Sequence, residues 1–164
     1  MQISFRFDQS RCSGCYACVV ACKDWHDIPV GPVFLRRVTI QEQGKYPKVT
    51  VNYLSAACHH CDEPTCIPAC PAEAISKREI DGIVIMDEEL CLGGEQCGRS
   101  CLVACPYEAP QFGEEPNAKM QKCDLCLDRW GNGKQPICVE ACPMRALEVE
   151  IRGDIASEIY RNKI

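Results

Sequence analysis

Sixteen cysteines in 164 residues are the side chains of this sequence most able to do chemistry. They form four groups of four, and each group ends in Cys-x3-Cys, followed directly by proline in three of them. The groups are Cys12, Cys15, Cys18 and Cys22; Cys58, Cys61, Cys66 and Cys70; Cys91, Cys97, Cys101 and Cys105; and Cys123, Cys126, Cys138 and Cys142. Cysteine thiolates bind zinc and iron–sulfur clusters, so the pattern predicts metal sites.

The first group, CSGCYACVVAC, has the spacing Cys-x2-Cys-x2-Cys-x3-Cys. Three thiolates on one tight loop can take three corners of an iron–sulfur cube. The fourth, about one helical turn further on, can bind a second cube. At four thiolates per cube, sixteen cysteines correspond to four [4Fe-4S] clusters. The folding of so small a chain is expected to depend on this metal.

Disulfides and zinc are the alternatives. Cysteines three residues apart on one loop rarely reach relaxed disulfide geometry. The first residues, MQISFRFDQSRC, do not resemble a secretory leader, so a reducing cytoplasm is the expected compartment, with export on a partner's signal to the periplasm as the other possibility. Zinc ribbons normally use two Cys-x2-Cys pairs per metal. The spacing favours clusters, and a zinc-stabilised structural module is kept as a rival.

Composition excludes several other classes of protein. A net charge of -5 gives the chain no basic footprint for nucleic acid. Its longest aliphatic run, Ile83–Met86, falls far short of the roughly 20 residues of a spanning helix, so direct membrane insertion is not expected. Neither G-x-S-x-G, a phosphate-binding loop nor a dinucleotide-binding fingerprint is present. We therefore expect no catalysis by this chain alone.

The segments between the groups predict a scaffold of mixed helix and strand. The alternating, β-branched stretches Arg36–Gln41 and Lys48–Leu54, with Gly44 and Pro47 between them, predict a β-hairpin. Pro71–Lys77 predicts a short helix that passes into a strand, and Asp81-Gly82 predicts a turn before the next strand. The helix-then-strand pattern recurs at Pro143–Ile151, and a short polar helix is expected after it.

Other polar residues near the groups have structural interpretations first. His59 and His60 lie inside a group that already has four cysteines, so they are expected to surround a cluster without binding it. Lys119, Lys122, Arg129 and Lys134 flank the fourth group. Each is expected on a solvated face, and the alternative is that positive charge there helps to hold anionic clusters.

Three stretches together resemble the four-cluster iron–sulfur subunits of the dimethyl-sulfoxide-reductase type. They are CSGCYACVVACKDWHDIPVGPVFLRRV, LSAACHHCDEPTCIPACPAEAISKREIDGIVIMDEELC and KCDLCLDRWGNGKQPICVEACPMRAL. The resemblance implies an α+β fold of two interleaved bacterial-ferredoxin-like [4Fe-4S] modules with a β-hairpin insertion. It places residues 1–56 and 107–164 in the module of groups one and four, and residues 57–106 in the module of groups two and three.

The same resemblance implies how the ligands are shared. In such subunits three cysteines of one group bind a cluster together with the last cysteine of another group. Carried over, the four sets are Cys12, Cys15, Cys18 and Cys142; Cys123, Cys126, Cys138 and Cys22; Cys58, Cys61, Cys66 and Cys105; and Cys91, Cys97, Cys101 and Cys70.

The third group, CLGGEQCGRSCLVACPY, departs from the family pattern. Family members commonly have Cys-x2-Cys-x2-Cys-x3-Cys-Pro-Tyr here, whereas this chain is four residues longer and has Gly94 where the second cysteine would fall. Gly93 and Gly94 can take the backbone angles of a widened loop. Cys97 is the expected replacement, so a fourth cluster is still expected.

The function implied by the resemblance is electron transfer, not catalysis. Such a subunit relays single electrons through its clusters between a molybdenum or tungsten bis-pterin catalytic subunit and an external redox partner. That second partner would be a flavin subunit, a membrane quinone subunit or a ferredoxin. The alternative is a free-standing soluble polyferredoxin. A stable subunit should expose a broad apolar face, whereas a diffusing carrier should not.

Overall fold

Short helices and paired strands alternate along the chain, with the cysteine groups in and around the helices and turns. The structure is a computed structural model that describes residues 1–152. Its strands are β1 (Gln2–Phe7), β2 (Arg36–Lys45), β3 (Lys48–Ala57), β4 (Ile75–Lys77), β5 (Val84–Met86), β6 (Gln111–Phe112), β7 (Met120–Gln121) and β8 (Leu147–Arg152). Its helices are α1 (Ala17–Trp25), α2 (Gly94–Cys97), α3 (Ser100–Val103), α4 (Leu127–Gly131) and α5 (Ile137–Glu140), with a 3₁₀ turn at Gln9–Arg11. None of these helices is long and apolar enough to cross a membrane.

Each sheet in the described part joins two antiparallel strands: β1 with β8, β2 with β3, β4 with β5, and β6 with β7. The last three pairs are local hairpins. The first pair joins strands from the two ends of the described residues, with Ile3 opposite Ile151. Strand β1 was not expected from the sequence, because its partner strand lies at the far end of the described residues and local patterns do not reveal such pairing.

Strands β2 and β3 form a long ribbon in the segment where the sequence predicts a hairpin. They pair from Arg36 opposite Ala57 to Lys45 opposite Lys48, so both strands are longer than expected. Gly44 lies inside β2 instead of in the loop, with φ +95°. A Cβ at this position would lie 2.2 Å from the carbonyl oxygen of Lys48, so the tight end of the ribbon requires glycine.

The prediction of short helices after Cys70 and Cys142 is wrong, because both segments are tight turns. The N–H of Glu73 donates to the Cys70 carbonyl at 3.2 Å, and the N–H of Arg145 donates to the Cys142 carbonyl at 3.1 Å. Glu73 (φ +51°) and Arg145 (φ +49°) are left-handed, which ends any helix after one turn. The strands predicted next are present as β4 and β8. The polar helix expected near the end falls within residues 153–164, outside the described part.

Two apolar clusters show how the parts of the chain pack together. Ile3, Ile83, Leu125 and Trp130 form one cluster from four distant segments. In another, Phe112 and Met120 pack with residues that include Ala74, Ile75 and Val84. The division into two interleaved modules stays a prediction. The packing of Phe112 and Met120 favours a boundary after β7 instead of before residue 107.

Replacing Ile83 tests the cluster that joins β1 to the β4–β5 hairpin. Its side chain is 0% exposed, so Ile83→Ala is expected to lower the free energy of unfolding by about 2–5 kcal/mol. Anaerobic thermal unfolding followed by circular dichroism would show this as a lower midpoint, by about 2–4 °C per kcal/mol for a chain of this size.

The matched control is Ile80→Ala in the same hairpin. Ile80 is 60% exposed, so its loss should change the stability by about 0.5 kcal/mol or less. Equal destabilisation by the two variants would contradict the buried position of Ile83.

Candidate metal centre

The structure brings the sixteen cysteines together as four sets of four thiols. Each set has three cysteines from one group and one from another, and all sixteen are free of disulfides. We name them the Cys12 set (Cys12, Cys15, Cys18, Cys142), the Cys22 set (Cys22, Cys123, Cys126, Cys138), the Cys58 set (Cys58, Cys61, Cys66, Cys105) and the Cys70 set (Cys70, Cys91, Cys97, Cys101). These are the same four combinations that the resemblance implies.

The Cys12 set lines a small cavity between the first cysteine loop and the base of the β2–β3 ribbon. Gly14 allows the loop to turn, with φ +68°. A Cβ on Gly14 would lie 2.3 Å from the ring of Tyr53, so glycine is also needed for packing on the ribbon. The N–H of Ala146 donates to Cys142 Sγ at 3.3 Å, which gives this sulfur a backbone partner.

All four cysteines of the Cys22 set are buried. Cys22 comes from α1 and Cys138 from α5, whereas Cys123 and Cys126 precede α4. The thiols of the set lie close enough to act on one another electrostatically, Cys22 with Cys138 and Cys126, and Cys123 with Cys138. The N–H of Leu125 donates to Cys123 Sγ at 3.4 Å.

His26 lies beside the Cys22 set. Its Nε2 is 3.5 Å from Cys126 Sγ and 3.9 Å from Asp124 Oδ1. The three side chains could hold a metal ion by their chemistry. Because Cys126 already belongs to a set of four thiols, this is not a separate site, and His26 is best described as a neighbour of the Cys22 set.

The Cys58 set lines a second small cavity, together with the buried side chain of Lys122. The Lys122 Nζ donates to the Val84 carbonyl and, at 2.7 Å, to the Cys123 carbonyl. It therefore does not lie on a solvated face. The N–H of Ala109 donates to Cys105 Sγ at 3.4 Å. The positive charge of Lys122 opposes the rise in the pKa of Cys66 that burial causes.

Of the two histidines of this group, His59 lines the cavity and His60 does not. The ring of His59 stacks on Tyr107 with centroids 3.9 Å apart. His60 is 1% exposed, and its Nδ1 accepts the N–H of Val84 at 3.1 Å. Burial, followed by the charge of Lys122, holds the pKa of His60 well below its usual value. His60 is therefore a neutral packing and hydrogen-bonding residue.

The Cys70 set lines a third small cavity, and Cys97 is part of it. The four extra residues of the third group are accommodated by α2, whose last residue is Cys97. Gly93 has φ +89°, and a Cβ there would lie 2.6 Å from the carbonyl oxygen of Asn117. A Cβ on Gly94 would lie 3.0 Å from Arg99 Nε and 3.1 Å from the ring of Phe112. The space beside Gly94, where the family cysteine would fall, is thus taken by the side chains of Arg99 and Phe112, and a helical turn brings Cys97 to the cavity.

Burial has the largest effect on the pKa values of the buried thiols. It is the largest cause that raises the pKa of Cys22, Cys101 and Cys126 to about 12 and that of Cys66 to about 11. For Cys22 and Cys101 the neighbouring thiols of the same set add to the effect. These thiols are protonated at neutral pH without metal, so iron must displace their protons when it binds.

The donor sets fit iron–sulfur clusters. Four convergent thiols per set provide soft sulfur ligands, and the apolar surroundings exclude water. Backbone N–H groups donate hydrogen bonds to the sulfur atoms of Cys91, Cys105, Cys123 and Cys142. Hydrogen bonds of this kind influence the reduction potential of a cluster. Residues whose importance the sequence did not indicate are the buried Arg36 and Ser55. Nothing in the alternation of β2 and β3 distinguishes a buried arginine from an exposed one.

Comparison with known proteins identifies the family. Residues 49–152 match the 4Fe-4S dicluster domain family. The chain is 47% identical over 156 residues to "Probable anaerobic dimethyl sulfoxide reductase chain YnfG" of Escherichia coli, a match that covers 90% of this chain and 72% of that protein. It is 44% identical to a chain of the anaerobic dimethyl sulfoxide reductase of the same species (95% and 80% covered). It is 34% identical to a subunit of the sulfite dehydrogenase of Allochromatium vinosum (88% and 67% covered).

Sixteen cysteines are the number that four [4Fe-4S] clusters require. The match over most of the chain and the convergence of thiols point to one conclusion. This protein belongs to the 4Fe-4S dicluster family, among the iron–sulfur electron-transfer subunits of the dimethyl-sulfoxide-reductase type, as its cysteine groups predicted.

Proposed function

We propose that this chain relays single electrons through four [4Fe-4S] clusters between a molybdenum or tungsten bis-pterin catalytic subunit and a second redox partner. The proposed ligands are the Cys12, Cys22, Cys58 and Cys70 sets. The observation that carries the proposal is that each set is connected to the next, either by a shared segment of chain or by direct packing. When bound, the clusters supply one-electron oxidation and reduction.

Helix α1 connects the first two sets. It contributes Cys18 to the Cys12 set and Cys22 to the Cys22 set, one helical turn later. The segment that begins with α5 repeats the arrangement with Cys138 and Cys142. Helices α1 and α5 pack against each other. The Cys12 and Cys22 sets are therefore connected by both of these segments.

The remaining sets are connected by packing and by shared segments. Cys58 packs against an apolar cluster that includes Cys22 and Cys123, which connects the Cys58 set to the Cys22 set. Cys66 belongs to the Cys58 set, and Cys70, one turn later, belongs to the Cys70 set. The second connection runs the other way, with Cys101 in the Cys70 set and Cys105 in the Cys58 set. This order supports the proposed interleaving of two ferredoxin-like modules, with the β2–β3 ribbon as an insertion.

The relatives support a catalytic partner on another chain. Their names describe chains or subunits of dimethyl sulfoxide reductase and sulfite dehydrogenase. By analogy, substrate chemistry would belong to a molybdenum or tungsten subunit, and this chain would not be an enzyme by itself. The second redox partner would be a flavin subunit, a membrane quinone subunit or a ferredoxin. The cytoplasm stays the predicted compartment, with co-export to the periplasm as the alternative.

An exposed apolar face favours a subunit over the alternative, a free-standing polyferredoxin. In the register of the β2–β3 ribbon, Ile40 pairs with Tyr53 and Glu42 with Val51. Paired residues of an antiparallel ribbon project from the same face. Ile40, Val49 and Val51 on this face are 50%, 49% and 44% exposed. A two-stranded ribbon with a bare apolar face is marginal in water, so a partner surface is expected to cover it.

Anaerobic purification from the native host tests the proposal. We expect about 16 iron and about 16 labile sulfide per chain, and a co-eluting larger chain that contains molybdenum or tungsten. Recovery of the protein alone, with full clusters and neither metal, would favour the free carrier. Zinc without sulfide would contradict the cluster assignment.

A Cys97→Ala variant tests the least regular ligand. Because Cys97 lines the same cavity as Cys70, Cys91 and Cys101, its loss should lower iron to about 12 per chain or alter one cluster signal in the electron paramagnetic resonance (EPR) spectrum. Gln96→Ser, on the exposed side of the same loop, is the control and should keep all iron. Full iron and an unchanged spectrum in Cys97→Ala would show that Cys97 is not a ligand.

A Gly14→Ala variant tests the first cysteine loop. The left-handed backbone alone costs about 1–2 kcal/mol for alanine, and the new methyl group would clash with Tyr53. We expect partial or complete loss of the cluster at the Cys12 set, measured by iron content and EPR. Ser13→Ala, at the exposed neighbouring position, should be unaffected. Wild-type iron content and thermal stability in Gly14→Ala would contradict this account of the loop.

A further inference from the structure

Arg36, the first residue of β2, is a buried cation with few partners. Its side chain is among the largest fully buried ones, and the residue is 2% exposed. The Nη1 group donates to Ser55 Oγ at 3.2 Å, and the guanidinium carbon lies 4.3 Å from the centre of the Phe5 ring. Nε and Nη2 have no oxygen or nitrogen acceptor among the described residues, and the side chain lies beside the thiol of Cys138. No carboxylate in residues 1–152 forms an ion pair with it.

A buried positive charge without a counter-charge is costly, and arginine stays protonated at any physiological pH. Burial lowers the pKa of Arg36, but the opposite charges of Cys138, Cys123 and Cys18 outweigh this and raise it. Two of these cysteines belong to the Cys22 set and one to the Cys12 set. When both sets hold clusters, the compensating negative charge would come from the two sets at once.

Ser55 gives Arg36 a second route to the Cys12 set. An arginine N–H can only donate, so the Ser55 oxygen accepts from it and the Ser55 proton is directed elsewhere. Cys18 Sγ lies 3.6 Å from Ser55 Oγ. Ser55 is 6% exposed, so the hydroxyl has little access to water. Arg36 thereby orients Ser55 as a hydrogen-bond donor to a sulfur of the Cys12 set.

We propose that Arg36 is a positioning residue that raises the reduction potentials of two neighbouring clusters, those of the Cys12 and Cys22 sets. This inference rests on the proposed function and its ligand sets. A reduced cluster carries one more negative charge than an oxidised one, so a fixed cation nearby favours reduction. The Cys12 set receives in addition the Ser55 hydrogen bond, which stabilises negative charge on sulfur.

Sharing one cation between two clusters has a consequence for electron flow. Any change in the charge at residue 36 shifts both potentials in the same direction, so the difference between them changes less than the larger of the two shifts. The Ser55 contact, by contrast, acts on the Cys12 set alone. Arg36 thus acts on the reduction potentials of both clusters, and Ser55 acts on the difference between these two potentials.

The test is an anaerobic redox titration, followed by EPR, on the holoprotein with its co-purifying chains. Arg36→Met removes the charge and keeps an unbranched, buried side chain. We expect the equilibrium constants for reduction at the Cys12 and Cys22 sets to fall tenfold or more, which is about 59 mV per tenfold for one electron. The Cys58 and Cys70 sets are internal references and should shift much less.

Three further variants separate charge from packing. Arg36→Lys keeps the charge and should retain most of both potentials. Ser55→Ala should lower only the potential of the Cys12 set. Arg37→Met is the control, because Arg37 is partly exposed and pairs with Glu108 at 3.9 Å, and it should leave all four potentials unchanged.

Iron and sulfide are counted first in every sample. If the wild-type protein lacks clusters at the Cys12 and Cys22 sets, the proposed function fails before Arg36 is tested. If the clusters are present, unchanged potentials in Arg36→Met overturn the inference, and so does an equal shift of all four. If Arg36→Met does not assemble, Ser55→Ala decides, and an unchanged Cys12-set potential in that variant overturns it.

Discussion

The spacing of two cysteines by one helical turn is the constraint on which the rest of the structure depends. Four residues of helix advance by about 6 Å, so two thiols at this spacing can be shared between two neighbouring sites. Helix α1 therefore directs Cys18 into one set and Cys22 into the next. Repeated in every group, this division obliges distant parts of the chain to meet. The short sheets and turns are what hold those parts in place, and the apolar core around them can stay small.

Charge is the second organising influence, because clusters held by the four sets would concentrate negative charge in a dry interior. Two buried cations lie close to these sets and can balance that charge. Lys122 lies beside the Cys58 set, and Arg36 lies between the Cys12 and Cys22 sets. Both are held by neutral oxygen acceptors instead of carboxylates within the described residues. A carboxylate would cancel the positive charge, whereas a carbonyl or hydroxyl fixes its position and leaves it available to the sulfur ligands.

Much of the candidate site was predictable from the sequence, because cluster binding depends on spacing that is local and regular. The four sets, the mixed helix and strand content and the general position of the β2–β3 ribbon followed from such patterns or from the family resemblance. The features that did not follow depend on long-range packing. Strand β1 pairs with β8, Arg36 is buried, and the segments after Cys70 and Cys142 turn at a left-handed residue where helix propensity suggested a helix.

The widened third group shows how an irregular loop is held in position. The N–H groups of Gly94 and Glu95 donate to the carbonyls of Ala118 and Pro116, at 3.0 and 3.1 Å. Helix α2, and with it Cys97, is thus anchored to a loop between β6 and β7 that contains no cysteine. The position of Cys97 therefore depends on the length of this second loop. A relative that shortens residues 113–119 would lose the support for α2, and it would need the regular, compact cysteine spacing instead.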